Sequence, residues 1–270
     1  MKILTADGDP EQFFSRLATA KRSMLLLDFD GTLSPFKVDR NAARPYPGIR
    51  DILTRVMTQP NTRVAIITGR WTEDVLPLLG VEPHPEIWGS HGWERLLPNG
   101  DLTIFPLGDK VEQALADAAQ IVKDAGLWER CEPKPACLAI HFRGLPETEQ
   151  HRIDKQMRDL WTPLTENSGL QIQRFDGGVE LLNPGRSKGY AVRVLLSEEP
   201  EHTVIAYLGD DRTDEDAFQE LGGNGYRVLV RPEYRETQAD IWLEPPGELL
   251  DFLHRWHGVS ATRNMEGETL

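Results

Sequence analysis

Cysteine is scarce in this 270-residue chain, which has only Cys131 and Cys137. The two form neither a CxxC pair nor a disulfide framework, which argues against a stapled scaffold and against a thiol redox centre. Both are expected as reduced thiols in a cytoplasmic protein. Long apolar runs are missing too: no stretch approaches the roughly 20 residues of a membrane helix. Asp7, Asp9, Glu11, Lys21 and Arg22 precede the first apolar cluster, so the N-terminus does not read as a secretory leader. Positive charge is outweighed, with 30 Lys and Arg against 43 Asp and Glu, a net charge of −13. That balance argues against a nucleic-acid partner, which the chain would repel. Screening acts over about 8 Å at physiological salt, so a few local cations can still hold a small anion. There is no internal repeat and no low-complexity segment.

What is present alternates strand and helix, the pattern of a parallel sheet covered by helices. Met24 to Leu27, Val64 to Ile67 and Val204 to Leu208 read as buried strands, and Val228 to Val230 and Ile241 to Leu243 complete the set. A helix is predicted from Pro47 through Met57, with Pro47 in its first turn. Thr72 is expected to cap the short helix that follows the second strand. The stretch 106–176 differs. Val111, Leu115, Ala118 and Val122 fit one helical face, and Ile153, Met157, Leu160 and Leu164 another. Between them Leu138, Ile140 and Phe142 alternate with Ala139, His141 and Arg143, a strand with one apolar and one polar face. A further strand is expected near Ile172. The predicted fold is α/β, with a discontinuous core of residues 1–105 and 177–270 and an inserted α+β cap of 106–176.

Four clusters carry chemistry, and three of them follow predicted strands, where ligands of α/β sheets bind. In Leu27-Asp28-Phe29-Asp30-Gly31-Thr32, one carboxylate can attack phosphorus and the other can move a proton. Taken alone this is also what a turn rich in Asp and Gly looks like. In Ile67-Thr68-Gly69-Arg70, the hydroxyl can bond a phosphoryl oxygen and Arg70 can contact phosphate or sugar; a plain helix-entry turn reads the same way. Lys188 opens a helix, where its charge opposes the helix dipole unless an anion partners it. Asp210, Asp211, Asp214, Glu215 and Asp216 crowd five acids into seven residues. Such crowding is costly without a cation. Mg²⁺ fits best, since it takes few protein carboxylates and completes its shell with water and phosphate. An EF-hand calcium loop would need a central Gly and a terminal Glu, which are missing here.

The order DxDGT, Ser/Thr, Lys, GDxxxD resembles the haloacid dehalogenase superfamily. By that resemblance Asp28 is the nucleophile and Asp30 the general acid and base, while Thr68 and Lys188 bind the phosphoryl group. Asp28, the backbone carbonyl of Asp30, and Asp210 would bind Mg²⁺, with Asp214 in support. Only a loop and a helix fit between Asp30 and Thr68, so the cap belongs between the second and third motifs. Gly89-Ser90-His91-Gly92-Trp93-Glu94, Glu132-Pro133-Lys134, His141-Phe142-Arg143 and Gly178-Val179-Glu180 are similar to signatures of the trehalose-6-phosphate phosphatase family. The resemblance implies a phosphoric monoester hydrolase whose sugar is met by Gly69, Arg70, His91, Glu132, Lys134, His141, Arg143 and Glu180. It departs at Glu180-Leu181-Leu182-Asn183-Pro184, where the family often has a basic residue and an earlier proline. A related substrate, such as a glycosylglycerate or sucrose phosphate, stays open on that ground. So does a non-catalytic sugar-phosphate sensor, although a sensor need not keep a nucleophile. No synthase segment is present in this sequence, so coupling to a synthase would involve a separate protein.

Overall fold

A computed structural model describes the backbone of residues 1–175 and 177–267 and the side chains of that range through Ala261. In chain order the elements are β1 (Lys2–Ile3), α1 (Pro10–Thr19), β2 (Ser23–Leu27), α2 (Ile49–Met57), β3 (Thr62–Ile67), α3 (Thr72–Leu79), β4 (Glu86–Gly89), β5 (Glu94–Leu96) and β6 (Leu102–Ile104). They continue with α4 (Asp109–Asp124), β7 (Cys131–Lys134), β8 (Cys137–His141), α5 (Glu147–Ser168), β9 (Gln171–Phe175) and β10 (Gly178–Leu182). The last are α6 (Lys188–Glu198), β11 (Val204–Gly209), α7 (Glu215–Leu221), β12 (Tyr226–Val230), β13 (Ile241–Leu243) and α8 (Gly247–Gly267).

Two compact units result: residues 1–102 with the chain from Lys188 onward, and Thr103–Ser187. In the first, the sheet order is β1-β13-β12-β11-β2-β3-β4-β5. β13, β12, β11, β2, β3 and β4 run parallel, and β1 and β5 pair antiparallel to their neighbours. Every residue of β2, Ser-Met-Leu-Leu-Leu, is buried. A strand sealed on both faces under helices needs such a run. With β11 on one side and β3 on the other, β2 is where the chain's winding reverses, and the C-terminal ends of all three meet at one edge. On one face α1, α2 and α8 pack over a core in which Phe13 stacks on Tyr226 with centroids 4.3 Å apart, beside Phe252 and Trp256.

The second unit is an antiparallel sheet, β7-β8-β10-β9, packed on α4 and α5. The alternation predicted for Leu138 to His141 is present: Leu138 and Ile140 join Val179, Leu181, Met157 and Trp161 in the core. β8 ends at His141, yet Phe142 remains in that core.

Several expectations are corrected. The α2 helix starts at Ile49, because Gly48 sits at φ +89°, a left-handed conformation that a helix cannot include; Pro47 lies outside it. Thr72 is the first residue of α3 and makes no cap. Trp71 occupies that position, and the carboxylate of Glu94 accepts from the Thr72 N–H instead. On α5 it is Trp161 that is buried, while Leu160 is 40% exposed. Spacings of three and four both fit the helical period, and the larger apolar surface takes the inner place. β10 hydrogen-bonds both β8 and β9, so the second sheet extends past the expected boundary. Residue 176, where that boundary falls, lies outside the described residues. No helix among the described residues is long and apolar enough to cross a membrane.

Candidate functional site

Asp28 follows β2 directly, and its N–H donates to the Leu208 carbonyl of β11 at 2.9 Å, which fixes it at the sheet edge. Its Oδ1 accepts from Lys188 Nζ at 2.7 Å, and its Oδ2 from Thr32 Oγ1 at 3.4 Å. Lys188 is the first residue of α6, and its Nζ also donates to Asp214 Oδ1 at 2.7 Å. These are the anions that a buried lysine at a helix start requires. Burial acts to lower the Lys188 pKa, but the charges of Asp214 and Asp28 overcome it and hold the ammonium well above its ordinary range. Burial pushes the Asp28 carboxyl up to about 7, with Lys188 pulling the other way.

Asp214 is fully engaged. Oδ1 accepts from Lys188 and from Tyr207 OH at 2.6 Å, and Oδ2 from the N–H groups of Asp210 and Asp211 at 3.0 and 2.9 Å. Asp210 is the opposite case. Both its carboxylate oxygens are buried and accept no hydrogen bond, and Arg231 Nη1 stands 3.9 Å from Oδ2. Burial raises its pKa well above the carboxylate range, with the Asp28 charge adding to the effect. An orphaned buried carboxylate costs several kcal/mol in general (roughly 1–3 for a neutral group, more for a charge), and a bound cation removes that cost. Ligand atoms of Asp28, Asp210 and Asp214 lie within 4.8 Å of one another. Since Asp214 already accepts four bonds, Asp28 and Asp210 are the carboxylates that fit a metal and Asp214 braces them. The close packing is visible at Gly31, whose φ is +88° and where a Cβ would come 2.2 Å from Asp210 Oδ2. Only glycine satisfies both conditions.

The second motif closes β3 beside Asp28. Buried Thr68 accepts from the Arg70 N–H at 3.2 Å through Oγ1. Arg70 grips Asp30 with both arms, Nε to Oδ2 at 2.5 Å and Nη2 to Oδ1 at 2.7 Å. The His91 imidazole lies on Gly69, where a Cβ would be 2.6 Å from Nε2. Ser90 and His91 both have left-handed φ, 48° and 56°, and each costs about 1–2 kcal/mol unless something holds it. The hold comes from several bonds. Ser90 N–H donates to the Arg70 carbonyl, His91 N–H to the Thr68 carbonyl, and Ser90 Oγ to Glu94 at 3.0 Å.

In the second unit, the β7-β8-β10 register puts Glu132 opposite Ala139 and Ala139 opposite Glu180. Two-residue periodicity adds Lys134 and His141 to that face. Glu132 Oε2 is 2.6 Å from His141 Nε2 and 3.6 Å from Lys134 Nζ. The Arg143 guanidinium lies over Gly177, where a Cβ would approach Nε to 2.7 Å. The predicted site residues thus form two groups. Asp28, Asp30, Thr68, Gly69, Arg70, His91, Lys188, Asp210 and Asp214 belong to the first unit, and Glu132, Lys134, His141, Arg143 and Glu180 to the second.

Sequence reasoning passed over Tyr207, Glu94 as a contact and Arg235. Tyr207 reads as one more buried strand residue. The contact of Arg235 with the Asp210 carbonyl spans 25 residues, and nothing in the local pattern signals it. Glu94 belongs to the Gly89–Glu94 motif, but its partner Thr72 lies 22 residues back.

Residues 26–240 match the family model described as trehalose-phosphatase. The probable trehalose-phosphate phosphatase 9 of Oryza sativa subsp. japonica is 30% identical over 281 residues, covering 90% of this chain and 72% of that protein. The C-terminal domain of C. albicans trehalose-6-phosphate phosphatase superposes with a TM-score of 0.80 at 21% identity, over 96% of this chain and 98% of that one. A haloacid dehalogenase-like hydrolase from B. subtilis gives a TM-score of 0.61 at 13% identity, over 86% and 99%. The two structural likenesses bear on the fold alone.

Proposed function

We propose that this chain, which belongs to the trehalose-phosphatase family and is a phosphoric monoester hydrolase, releases phosphate from trehalose 6-phosphate with Asp28 as nucleophile. The observation that carries the reading is the Asp28–Lys188 pair, buried beside a carboxylate, Asp210, that lacks any hydrogen bond.

An Asp28 oxygen attacks phosphorus as the bond from phosphorus to the sugar oxygen breaks, and Asp30 gives that oxygen a proton. Water then attacks the phosphorus of the aspartyl phosphate and passes its proton to Asp30. Phosphate leaves and the Asp28 carboxylate is restored. Splitting one difficult displacement into two is the gain of covalent catalysis. Lys188 and Thr68 bind the phosphoryl oxygens, and Lys188 offsets charge that builds on them. Asp30 is an acceptor while Arg70 grips both its oxygens, so its acid role requires Arg70 to release at least one. Mg²⁺, held by Asp28, Asp210 and the Asp30 carbonyl, would offset the repulsion between carboxylate and phosphate and polarise the phosphoryl group.

Selection of the sugar is assigned to the polar sheet face of the second unit. Glu132 accepts, and Lys134 and Arg143 donate, as sugar hydroxyls require; His141, Glu180, His91, Gly69 and Arg70 complete the proposed substrate contacts. Phosphate release measured across trehalose 6-phosphate, sucrose 6-phosphate and a phosphorylated glycosylglycerate tests the assignment. Trehalose 6-phosphate is expected to give the highest kcat/KM, and a higher value for either competitor would overturn it.

A further inference from the structure

The Asp210 carboxylate makes no hydrogen bond of its own, so apart from the Arg231 guanidinium 3.9 Å from Oδ2 and the packing on Gly31 its direction is set by its backbone. That backbone is held from two sides. On the inner side Asp214 Oδ2 accepts the N–H groups of Asp210 and Asp211. On the outer side Arg235 donates Nε to the Asp210 carbonyl at 2.9 Å and Nη2 to the Asp211 carbonyl at 2.7 Å. Two successive residues are thereby fixed at both their N–H and their C=O groups. The guanidinium is itself anchored. Its Nη1 donates to the Glu236 carbonyl at 2.8 Å and pairs with Glu215 Oε1. Glu215, the first residue of α7, also accepts from Thr237 Oγ1 at 2.8 Å and the Gln238 N–H at 2.9 Å. The segment after β12 is thus tied to the same turn that carries Asp210.

We infer that Arg235 is a positioning residue for the divalent cation: it aims Asp210 at the ion by fixing the Asp210–Asp211 backbone. The inference rests on the metal reading above. Its sign separates it from a purely electrostatic role. A guanidinium repels a nearby cation, so if charge were all that mattered, removing it would tighten metal binding. If Arg235 acts by positioning, removing it weakens binding. Exchanging it for lysine, which keeps the charge but loses the planar fork that reaches two carbonyls, weakens binding as well.

The test is MgCl₂ titration of the metal-stripped full chain, read as the rise in Tm and needing no turnover. Wild type, R235A, R235K and, as a distant control, Arg193→Ala are compared; Arg193 pairs with Glu220 on the surface of α6 and α7. R235A and R235K are expected to raise the apparent Mg²⁺ Kd by roughly tenfold, with the control unchanged. Should either fail to fold, Glu215→Gln, which loosens the anchor and leaves the guanidinium in place, is expected to shift Kd in the same direction. Folded variants that bind Mg²⁺ as tightly as wild type, or more tightly, overturn the inference. A wild-type chain whose Tm does not respond to Mg²⁺ instead overturns the metal reading on which it rests.

Discussion

Gly31 concentrates the constraints on single residues. It sits at φ +88°, and a Cβ there would meet the Asp210 carboxylate. Alanine would carry the left-handed penalty of about 1–2 kcal/mol and displace Asp210 as well. Gly31→Ala is therefore expected to lower Tm and to lose most of its Tm response to Mg²⁺, and a normal response would show that Asp210 does not face the ion. Lys188 is expected to be as sensitive for a different reason. Lys188→Met leaves Asp28 and Asp214 buried without their counter-charge, at a cost of about 3–5 kcal/mol. The outcome expected is loss of turnover together with a clear fall in Tm, and activity within a few-fold of wild type would remove Lys188 from the phosphoryl site. Residues of this kind were legible in the sequence because their chemistry is improbable in place. A lysine at a helix start and five acids after a strand both call for a counter-ion. Tyr207 and Arg235 were not legible, since a buried tyrosine and a loop arginine are ordinary, and only the fold brings them to Asp214 and Asp210.

At the level of elements, the strands were easier to read than their partners. β2, β3 and β11 stand out as apolar runs ending in polar motifs. β10 does not reveal from its own residues that it pairs with β8 and β9, because register is settled by long-range pairing. The Trp161 and Leu160 exchange has the same origin, since a helical period alone leaves adjacent positions undecided. The polar face of β7, β8 and β10 carries its own test. In the proposed function the groups around Asp28 meet the phosphate that all substrates share, so discrimination would fall to groups that meet the sugar. Losing one sugar contact leaves a polar group unpaired, worth about 1–3 kcal/mol, or roughly tenfold to a hundredfold in kcat/KM. Glu132→Ala and Lys134→Ala are expected to impair trehalose 6-phosphate hydrolysis by that factor. p-Nitrophenyl phosphate, which offers no sugar hydroxyls, is expected to lose much less. Equal losses on both substrates would assign these residues to the fold instead.

For the whole molecule, a net charge of −13 and a negative reacting group are reconciled in the proposed function by buried Lys188 and Arg70 and by the cation that Asp28 and Asp210 would hold. The arrangement links stability to pH. Burial raises the Asp28 carboxyl to about 7 in the folded chain, against about 3.9 when unfolded. A raised carboxyl contributes stability that is complete below the unfolded value and is lost as pH rises through the folded one, because the native state then binds the extra proton. The metal-free protein is thus expected to lose stability between about pH 4 and about pH 8. Mg²⁺ must displace that proton to bind, so the Tm gained at fixed Mg²⁺ is expected to grow over the same interval. A gain that is flat or falls with pH would contradict the placement of Asp28 beside the ion.

Asp28 is the group proposed to attack phosphorus. Phosphate monoester hydrolysis is among the slowest uncatalysed reactions, with enzymatic accelerations up to about 10²¹-fold, and the neutral amide oxygen of asparagine at position 28 is too weak a nucleophile to replace the carboxylate. The most direct measurement is phosphate release from trehalose 6-phosphate by wild type and Asp28→Asn at saturating Mg²⁺, with Tm recorded for both. Rapid release by wild type, stopping in excess chelator, and no detectable turnover by a folded Asp28→Asn protein are expected. Substantial steady-state release by Asp28→Asn would contradict attack by Asp28.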